Sequence, residues 1–448
     1  MISSYNGGTC WLKSITGPLI YAPGNIVGIL NKTVVPSPLP SINKCTMQNN
    51  TDISGNNLIN IPNSQPSDCC NLCYITQGCK AYTWSSVSNG TCWLKSSSTT
   101  SFNNGIIAGV LTPATINWTL SETYNSANFY SKFNFYTDGD PTHGFVDYVN
   151  QSVAQQLGLI SVNSNGTIYM GADHTSKITG GKRGRPSVRL SSKAAYNGGL
   201  FIHDLLHMPV GPGTWPAYWF VGPDWPNNGE ADIIEGIGGN TMNAVTLHTA
   251  DGCTMRKEYQ QLFTGTFADG KTHGVPATDC FIQDWGQQPN EGCSIDAPGG
   301  TYGDGFNSAN GGVIALEWEK NDFMRVWVFM RNNVPADITQ GTPNPSNWGK
   351  PTAVFPFGSN CPSIYFNNMN LIYDLTFCGD WAGSVYPGGN GACIANVQNN
   401  PQDYSGAYWL INSIKVYQNG LTSCVADLGA CQRRQDCCSG LCFNLQCQ

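Results

Sequence analysis

Charge is scarce in this sequence of 448 residues, with Asp, Glu, Lys and Arg together making up 11% of it. What charge there is leans acidic, to a formal net of −7 at pH 7, and no run of Lys or Arg is long enough to grip a phosphate backbone. That balance excludes nucleic acid as a partner. Long apolar runs are missing too, and none approaches the roughly 20 residues a spanning helix needs, so no membrane span is expected. The first residues, "MISSYNGGTC", carry neither the basic start nor the apolar stretch of an export signal. The chain is therefore expected either to have lost such a signal or to be a piece of a longer one.

Other residues are plentiful. Gly (51), Trp (13), Tyr (19) and Cys (19) suit a β-rich extracellular protein better than a helical cytosolic one. So many cysteines would not sit in a reducing cytosol without a metal, and most are clustered as in small disulfide-rich modules. Six N-x-S/T sequons, at Asn31, Asn49, Asn89, Asn117, Asn150 and Asn165, all fall in the first 165 residues. With the cysteines they favour a secreted, extracellular or cell-wall-associated glycoprotein. The length exceeds what one core usually spans, so several domains are expected.

An internal repeat sets the first boundaries. "GGTCWLKS" (7–14) returns as "NGTCWLKS" (89–96), and "GNIVGIL" (24–30) returns as "NGIIAGVL" (104–111). The second copy is preceded by Cys45 and "DCCNLCYITQGCKAYTW" (68–84), which the first copy lacks. Residues 1–32 thus read as the tail of a truncated module, with the partner of Cys10 lying upstream. Residues 40–112 read as a complete module, with a short helix from Cys69 to Tyr74 beside a few strands and six cysteines in place of a large core. Proximity favours Cys73 with Cys79; the other pairings stay open. The cysteine spacing with "AYTW" and "CWLKS" resembles the PAN/apple module, which implies a domain that binds protein or carbohydrate and carries no chemistry.

At the other end, "CVADLGACQRRQDCCSGLCFNLQC" (424–447) holds six cysteines among few apolar side chains, so residues 421–448 read as a stapled miniature. Zinc is the weaker reading, because no His lies nearby and vicinal Cys437 and Cys438 suit a tetrahedral site poorly. The spacing is similar to that of cystine-knot peptides (knottins), a resemblance that implies Cys424–Cys438, Cys431–Cys442 and Cys437–Cys447.

Between these modules, residues 116–420 turn to alternating runs such as "GGVIALEWEK", "FMRVWVFM" and "MNLIYDLTF", punctuated by turn residues. Short strands at near-regular spacing with few helical patterns point to an all-β sandwich or jelly roll whose extra length forms loops around a cleft. One stretch breaks the pattern. "NNGEADIIEG" (227–236) puts Glu230, Asp232 and Glu235 into text that otherwise reads as a buried strand, where carboxylates are rare unless paired. Strand alternation aims Glu230 and Asp232 at one face and Glu235 at the other. A one-residue bulge around Ile233–Ile234 would bring Glu235 back, so that all three converge. Crowded carboxyls raise each other's pKa, leaving one protonated as an acid while another is ionised. Retaining glycoside hydrolysis needs that division of labour. A solvated acidic loop or a Ca²⁺ site would explain three acids, but not the isoleucines between them or the lack of EF-hand spacing. No cofactor is expected; a structural Ca²⁺ is the one alternative left open.

"GEADIIEG" resembles the E-x-D-x-x-E signature of glycoside hydrolase family 16 in its bulged, laminarinase form. The similarity extends to "DPTHGFVDYVN" (140–150), "RPSVRLSSK" (185–193), "HMPVGPGTWPAYW" (207–219), "NAVTLHT" (243–249), "LTFCGDWAG" (375–383) and "AYWLINSIKVYQ" (407–418). The resemblance implies a β-jelly roll with a concave cleft and an endo-1,3(4)-β-glucanase acting on β-glucan. It implies Glu230 as nucleophile, Glu235 as acid/base and Asp232 as the group holding their protonation states apart. It also implies Trp219, Trp225 and Trp381 as cleft aromatics, and His248 as a polar contact beside them. Trp215, directly after Gly-Thr and before Pro216, reads as a core residue instead. One departure is that Pro212 stands where relatives can carry a cysteine, which leaves the loop disulfides open.

"HDLLH" (203–207) is a near-miss of a zinc-binding helix, but its flanks read as strand and turn. Two rivals remain: a transglycosylase using the same carboxylates, and a non-catalytic wall lectin. The PAN/apple-like and knottin-like modules are expected to tether the enzyme to wall or matrix material, so that removing residues 1–112 leaves activity on soluble glucan nearly intact.

Overall fold

The computed structural model describes residues 44–112 and 117–419, with the backbone of two short strand pairs, Ile2–Ser3 with Thr9–Cys10 and Cys442–Phe443 with Gln446–Cys447. The rest of the 1–32 tail, the side chain of Cys10, the sequon at Asn31 and the pairings Cys424–Cys438, Cys431–Cys442 and Cys437–Cys447 lie outside the described residues. Residues 42–448 form one unit.

Its N-terminal part is a five-stranded antiparallel sheet in the order Cys45–Asp52, Ser101–Leu111, Ala81–Ser85, Thr91–Lys95 and Asn57–Pro62. A helix, Pro66–Ile75, packs against it and starts three residues before the sequence suggested. Pro66 at the first helical position and the reciprocal Gln65–Asp68 cap account for those residues. Disulfides Cys45–Cys70, Cys69–Cys92 and Cys73–Cys79 tie the helix to the sheet and to the turn that follows it. The Cys73–Cys79 pairing is the one that proximity favoured.

The larger part is a jelly roll of two eight-stranded sheets. One sheet runs Ile160–Val162, Ile168–Gly171, Tyr408–Asn419, Gly199–His207, Gly312–Glu319, Phe323–Met330 and Ala353–Pro356, with Trp118–Tyr124 also pairing to Tyr408–Asn419. The other runs Thr266–Phe267, Cys293–Asp296, Ala244–His248, Glu230–Glu235, Thr214–Val221, Met369–Phe377, Arg189–Tyr196 and Phe133–Phe135. Alternation along each strand sends Phe201, Leu205, Ile314, Leu316 and Ile414 of the first sheet against Tyr218, Phe220, Leu247 and Tyr373 of the second, all buried in one core. His203 belongs to this core, bonded to the Tyr373 hydroxyl at 2.5 Å, and burial lowers its pKa to about 3. His207 stacks on Tyr408 at 3.9 Å. Both sit on the strand Gly199–His207, so "HDLLH" is not a metal-binding helix.

The two parts meet through buried charge. Arg256 Nη2 lies 3.0 Å from Asp68 Oδ2 with both side chains under a tenth exposed, and the same guanidinium donates to Ser64 and Asn360. Lys44 reaches Asp322 at 2.7 Å and lies over the Tyr74 ring, and Asn71 donates to the Phe357 carbonyl. Helix Pro66–Ile75 is therefore a packing element of the jelly roll as well as of its own module. The jelly roll carries three further disulfides, Cys253–Cys361, Cys280–Cys293 and Cys378–Cys393. It also carries short helices that strand patterning did not suggest, the longest being Gly389–Asn399. The described sequon residues Asn49, Asn89, Asn117, Asn150 and Asn165 are all exposed.

Candidate active site

The strand Glu230–Glu235 pairs on both sides, with Thr214–Val221 and with Ala244–His248. Opposite Tyr218–Trp219 its register slips by one residue: Trp219 faces Asp232 while Tyr218 faces Ile234. Ile233 is the extra residue of a bulge, and both Ile233 and Ile234 are buried. Beyond the bulge Glu235 stands opposite Ala217 and Ala244, on the same side as Asp232 and Glu230. The bulge has its own support. Asn243, 1% exposed, donates its amide N–H to the Ile233 carbonyl at 2.8 Å and accepts from the Glu235 N–H at 3.1 Å.

Cross-strand neighbours extend the concave face in rows. Glu230 stands beside His248; Asp232 lies between Thr246 and Trp219; Glu235 is followed through Ala217 by Asp374 and Arg189. Carboxylate oxygens of Glu230 and Asp232 and a ring nitrogen of His248 all lie within 4.8 Å of one another. His248 Nε2 is 3.2 Å from Asp232 Oδ2, while Asp232 Oδ2 and His248 Nδ1 have no hydrogen-bond partner. Trp219 is 9% exposed, with its indole N–H 3.3 Å from Asp374 and the Arg189 guanidinium 5.0 Å from its ring. It belongs to the cleft floor. Trp225, 43% exposed, stands on the loop entering the catalytic strand. Trp381 sits in the turn Gly379–Gly383, edge-on to Trp215 at 5.6 Å.

Four residues at the site were not singled out from sequence. Trp215, which the sequence suggested as core, is instead half-buried at the site and donates its indole N–H to Glu235 at 2.8 Å. Asp374, Arg189 and Asn243 carried no separate signal, although each falls in or beside a stretch of the family resemblance. Past Glu235 a cavity of about 600 Å³ opens, lined among others by Pro212, Gly238, Met242, Ala382 and Tyr386.

Crowding governs the charges here. Desolvation, then the neighbouring Asp232, pushes Glu230 up to about 8, with His248 and a hydrogen bond from Trp225 pulling the other way. The same two causes push Glu235 up to about 8, against the Trp215 hydrogen bond. Burial and Asp374 hold Asp232 well above the usual carboxylate range. Burial also lifts Asp374 to about 7 against the pull of Arg189. Three carboxyls so placed do not ionise together at neutral pH, so protons and negative charge coexist within one cleft.

Comparison with known proteins places this arrangement. Residues 133–417 match the XgeA-like, catalytic GH16 domain, and residues 51–95 match the PAN domain. A probable glycosidase of Schizosaccharomyces pombe is 44% identical over 305 residues, covering 67% of this chain and 69% of that protein. An endo-1,3(4)-β-glucanase of Emericella nidulans is 38% identical over 332 residues, 71% of this chain; the chain spans 50% of that enzyme's length. Among solved structures, laminarinase 16A of Phanerochaete chrysosporium in complex with β-glucans superposes with a TM-score of 0.61 at 40% identity, over 67% of this chain and all of that one. An elongating GH family 16 β-1,3-glucosyltransferase superposes with the same TM-score at 36% identity, again over 67% of this chain and all of that one. The chain belongs to glycoside hydrolase family 16.

Proposed function

We infer that this chain is an endo-acting β-glucanase that cuts internal β-1,3 bonds, or β-1,4 bonds beside them, in laminarin-like or mixed-linkage glucans, with retention at the anomeric carbon. The observation that carries this reading is the bulge at Ile233, which puts Glu230, Asp232 and Glu235 on one concave face. Glu230 is assigned as nucleophile from its place as the first acid of the E-x-D-x-x-E motif, where it stands beside His248 across the strands. Glu235 is assigned as the acid that protonates the departing oxygen, positioned by the Trp215 N–H. After a covalent glycosyl ester forms on Glu230, Glu235 takes a proton from the incoming water. Asp232, held protonated, can offer its O–H as a hydrogen-bond donor to the pair without adding a third charge. Trp225 and Trp381 offer ring faces to the CH faces of glucose, and Trp219 floors the cleft. Double displacement on these groups calls for no cofactor.

Proton NMR of a laminarin digest tests the reading: β-anomer is expected first, and α-anomer first would refute retention. Azide then separates the roles. Glu230→Ala should yield an α-glycosyl azide and Glu235→Ala a β-glycosyl azide, since only the second variant still forms the ester. Glu230→Gln at near wild-type rate would end the nucleophile assignment.

Transfer to a sugar hydroxyl instead of water is a second reading, favoured by the equal superposition of the glucosyltransferase. Products longer than the substrate in a laminari-oligosaccharide digest would establish it. We further propose secretion, glycosylation at the exposed sequons, and a wall or matrix contact through the edge strand Cys45–Asp52 and its antiparallel partner Ser101–Leu111 of the PAN-type module.

A further inference from the structure

Trp285 is the most exposed large apolar side chain among the described residues, at 94%. A single exposed apolar residue is ordinary on a protein surface, and the bland reading is that Trp285 is one. Its setting argues otherwise, because the loop beneath it is built to hold still. Cys280–Cys293 closes the loop. Inside, Gln287 is 7% exposed and donates to the carbonyls of Asp279 at 2.8 Å and Gly292 at 2.7 Å, while accepting from the Asp279 N–H at 2.7 Å. The Asn290 N–H closes on Ile282 and the Gly286 N–H on Asp284. A ring on such a preformed loop has little ordering left to lose when it binds.

The loop also belongs to the rim of the cleft. Its end, Cys293, pairs with Leu247 next to His248, and a Cβ on Gly292 would stand 2.7 Å from His248 Nδ1. Its beginning, Phe281, bridges Thr249, and the next residue, Ala250, donates to the carbonyl of Pro226 in the Trp225 loop. Trp225 and Trp285, both open to solvent, therefore stand on adjoining loops at the Glu230 and His248 end of the catalytic strand. Between Cys280 and Cys293 there is no Lys or Arg, but there are Gln283, Asp284, Gln288, Asn290 and Glu291. Such a surface repels anionic polymers and offers acceptors and amides to hydroxyl groups. A neutral sugar chain, with apolar CH faces and hydroxyl edges, fits an indole set among those groups.

We propose that Trp285 is an outlying stacking platform that holds a neutral β-glucan chain beyond the catalytic centre at the Glu230 end. The proposal rests on the β-glucanase reading above. It distinguishes long glucans from short ones, since only a chain that extends past the catalytic strand reaches the loop.

The test is Trp285→Ala in the full chain, assayed on laminarin polymer and on laminaritetraose, with Trp285→Tyr as the ring-conserving control. On polymer, KM should rise about five- to tenfold at nearly constant kcat, a change of about 1 kcal/mol in binding. On the tetraose both constants should stay put, and Trp285→Tyr should recover most of the loss. Equal loss on both substrates, or loss on neither, overturns the platform. So does a wild-type dimer that becomes a monomer in Trp285→Ala, which would give the ring to a second copy of the chain. A wild-type chain that cuts no β-glucan overturns the activity itself, and the platform with it.

Discussion

Glu230 and Glu235 show at the residue scale what it costs to keep protonated carboxyls in a cleft. Both are raised from 4.5 to about 8. Below about pH 4.5 they are neutral folded and unfolded, so they cost nothing. As pH climbs from 4.5 towards 8, the unfolded chain releases these protons before the folded site does, and stability falls across that window. Above it the penalty is constant. Glu235→Gln should therefore melt with wild type at pH 4 and above it at pH 8. The gain expected is about 2 kcal/mol, discounted from about 1.4 kcal/mol per unit because the crowded groups share one charge. Parallel pH dependences of Tm in the two proteins would sink this account. Trp215 shows what a residue-by-residue reading misses: nothing in "GTWPAYW" says which indole meets Glu235, because that depends on where the bulge puts the carboxylate.

At the element scale the bulge is the working part, and Asn243 is what fixes it. Its amide donates to the Ile233 carbonyl and accepts from the Glu235 N–H, so it clasps the backbone on both sides of Ile234. Asn243→Ala should strand both, at about 1–3 kcal/mol for each buried group left unpaired. It should also lower kcat about 10- to 100-fold, as expected for a slight displacement of a reacting group, with KM far less affected. Urea melts and steady-state kinetics check the two halves. Unchanged kcat would mean that strand pairing alone sets the bulge. The need for a bulge was legible in the E-x-D-x-x-E spacing, since strand alternation cannot otherwise put three acids on one face. Its brace was not, because Asn243 lies just before the next strand, Ala244–His248, and the pairing of that strand brings it under the bulge.

At the scale of the whole molecule, the PAN-type module is not a freely hung tether. Asp68 and Arg256 are buried together across the boundary, and Arg256 is three residues past Cys253, whose disulfide to Cys361 fastens two long loops. Removing residues 1–112 would take Asp68 and Ser64 from Arg256 and Lys44 from Asp322, so near-intact activity is no longer the expectation for that truncation. Asp68→Ala should lower stability by about 3 kcal/mol, the usual cost of orphaning one member of a buried pair. Replacing both partners by Asp68→Leu with Arg256→Met should cost less than Asp68→Ala alone. Calorimetric melting of the full chain checks both, and additive losses in the double variant would show that the pair does not couple.

The sequence by itself determined the class of the fold and the three carboxyls. Alternation, turn residues and clustered cysteines act over neighbouring positions, where spacing alone fixes which side chains share a face. It also fixed Cys73–Cys79, because six residues leave that pair little freedom to be apart. The tertiary structure decided everything that joins distant strands. It put Asp374 and Arg189 beside the catalytic strand, Asn243 under the bulge, Gly292 against His248 and Asp68 on Arg256. In each case the partners lie on different strands or loops, and in two of them more than a hundred residues separate the positions. Their meeting depends on sheet order and register, which no local pattern encodes.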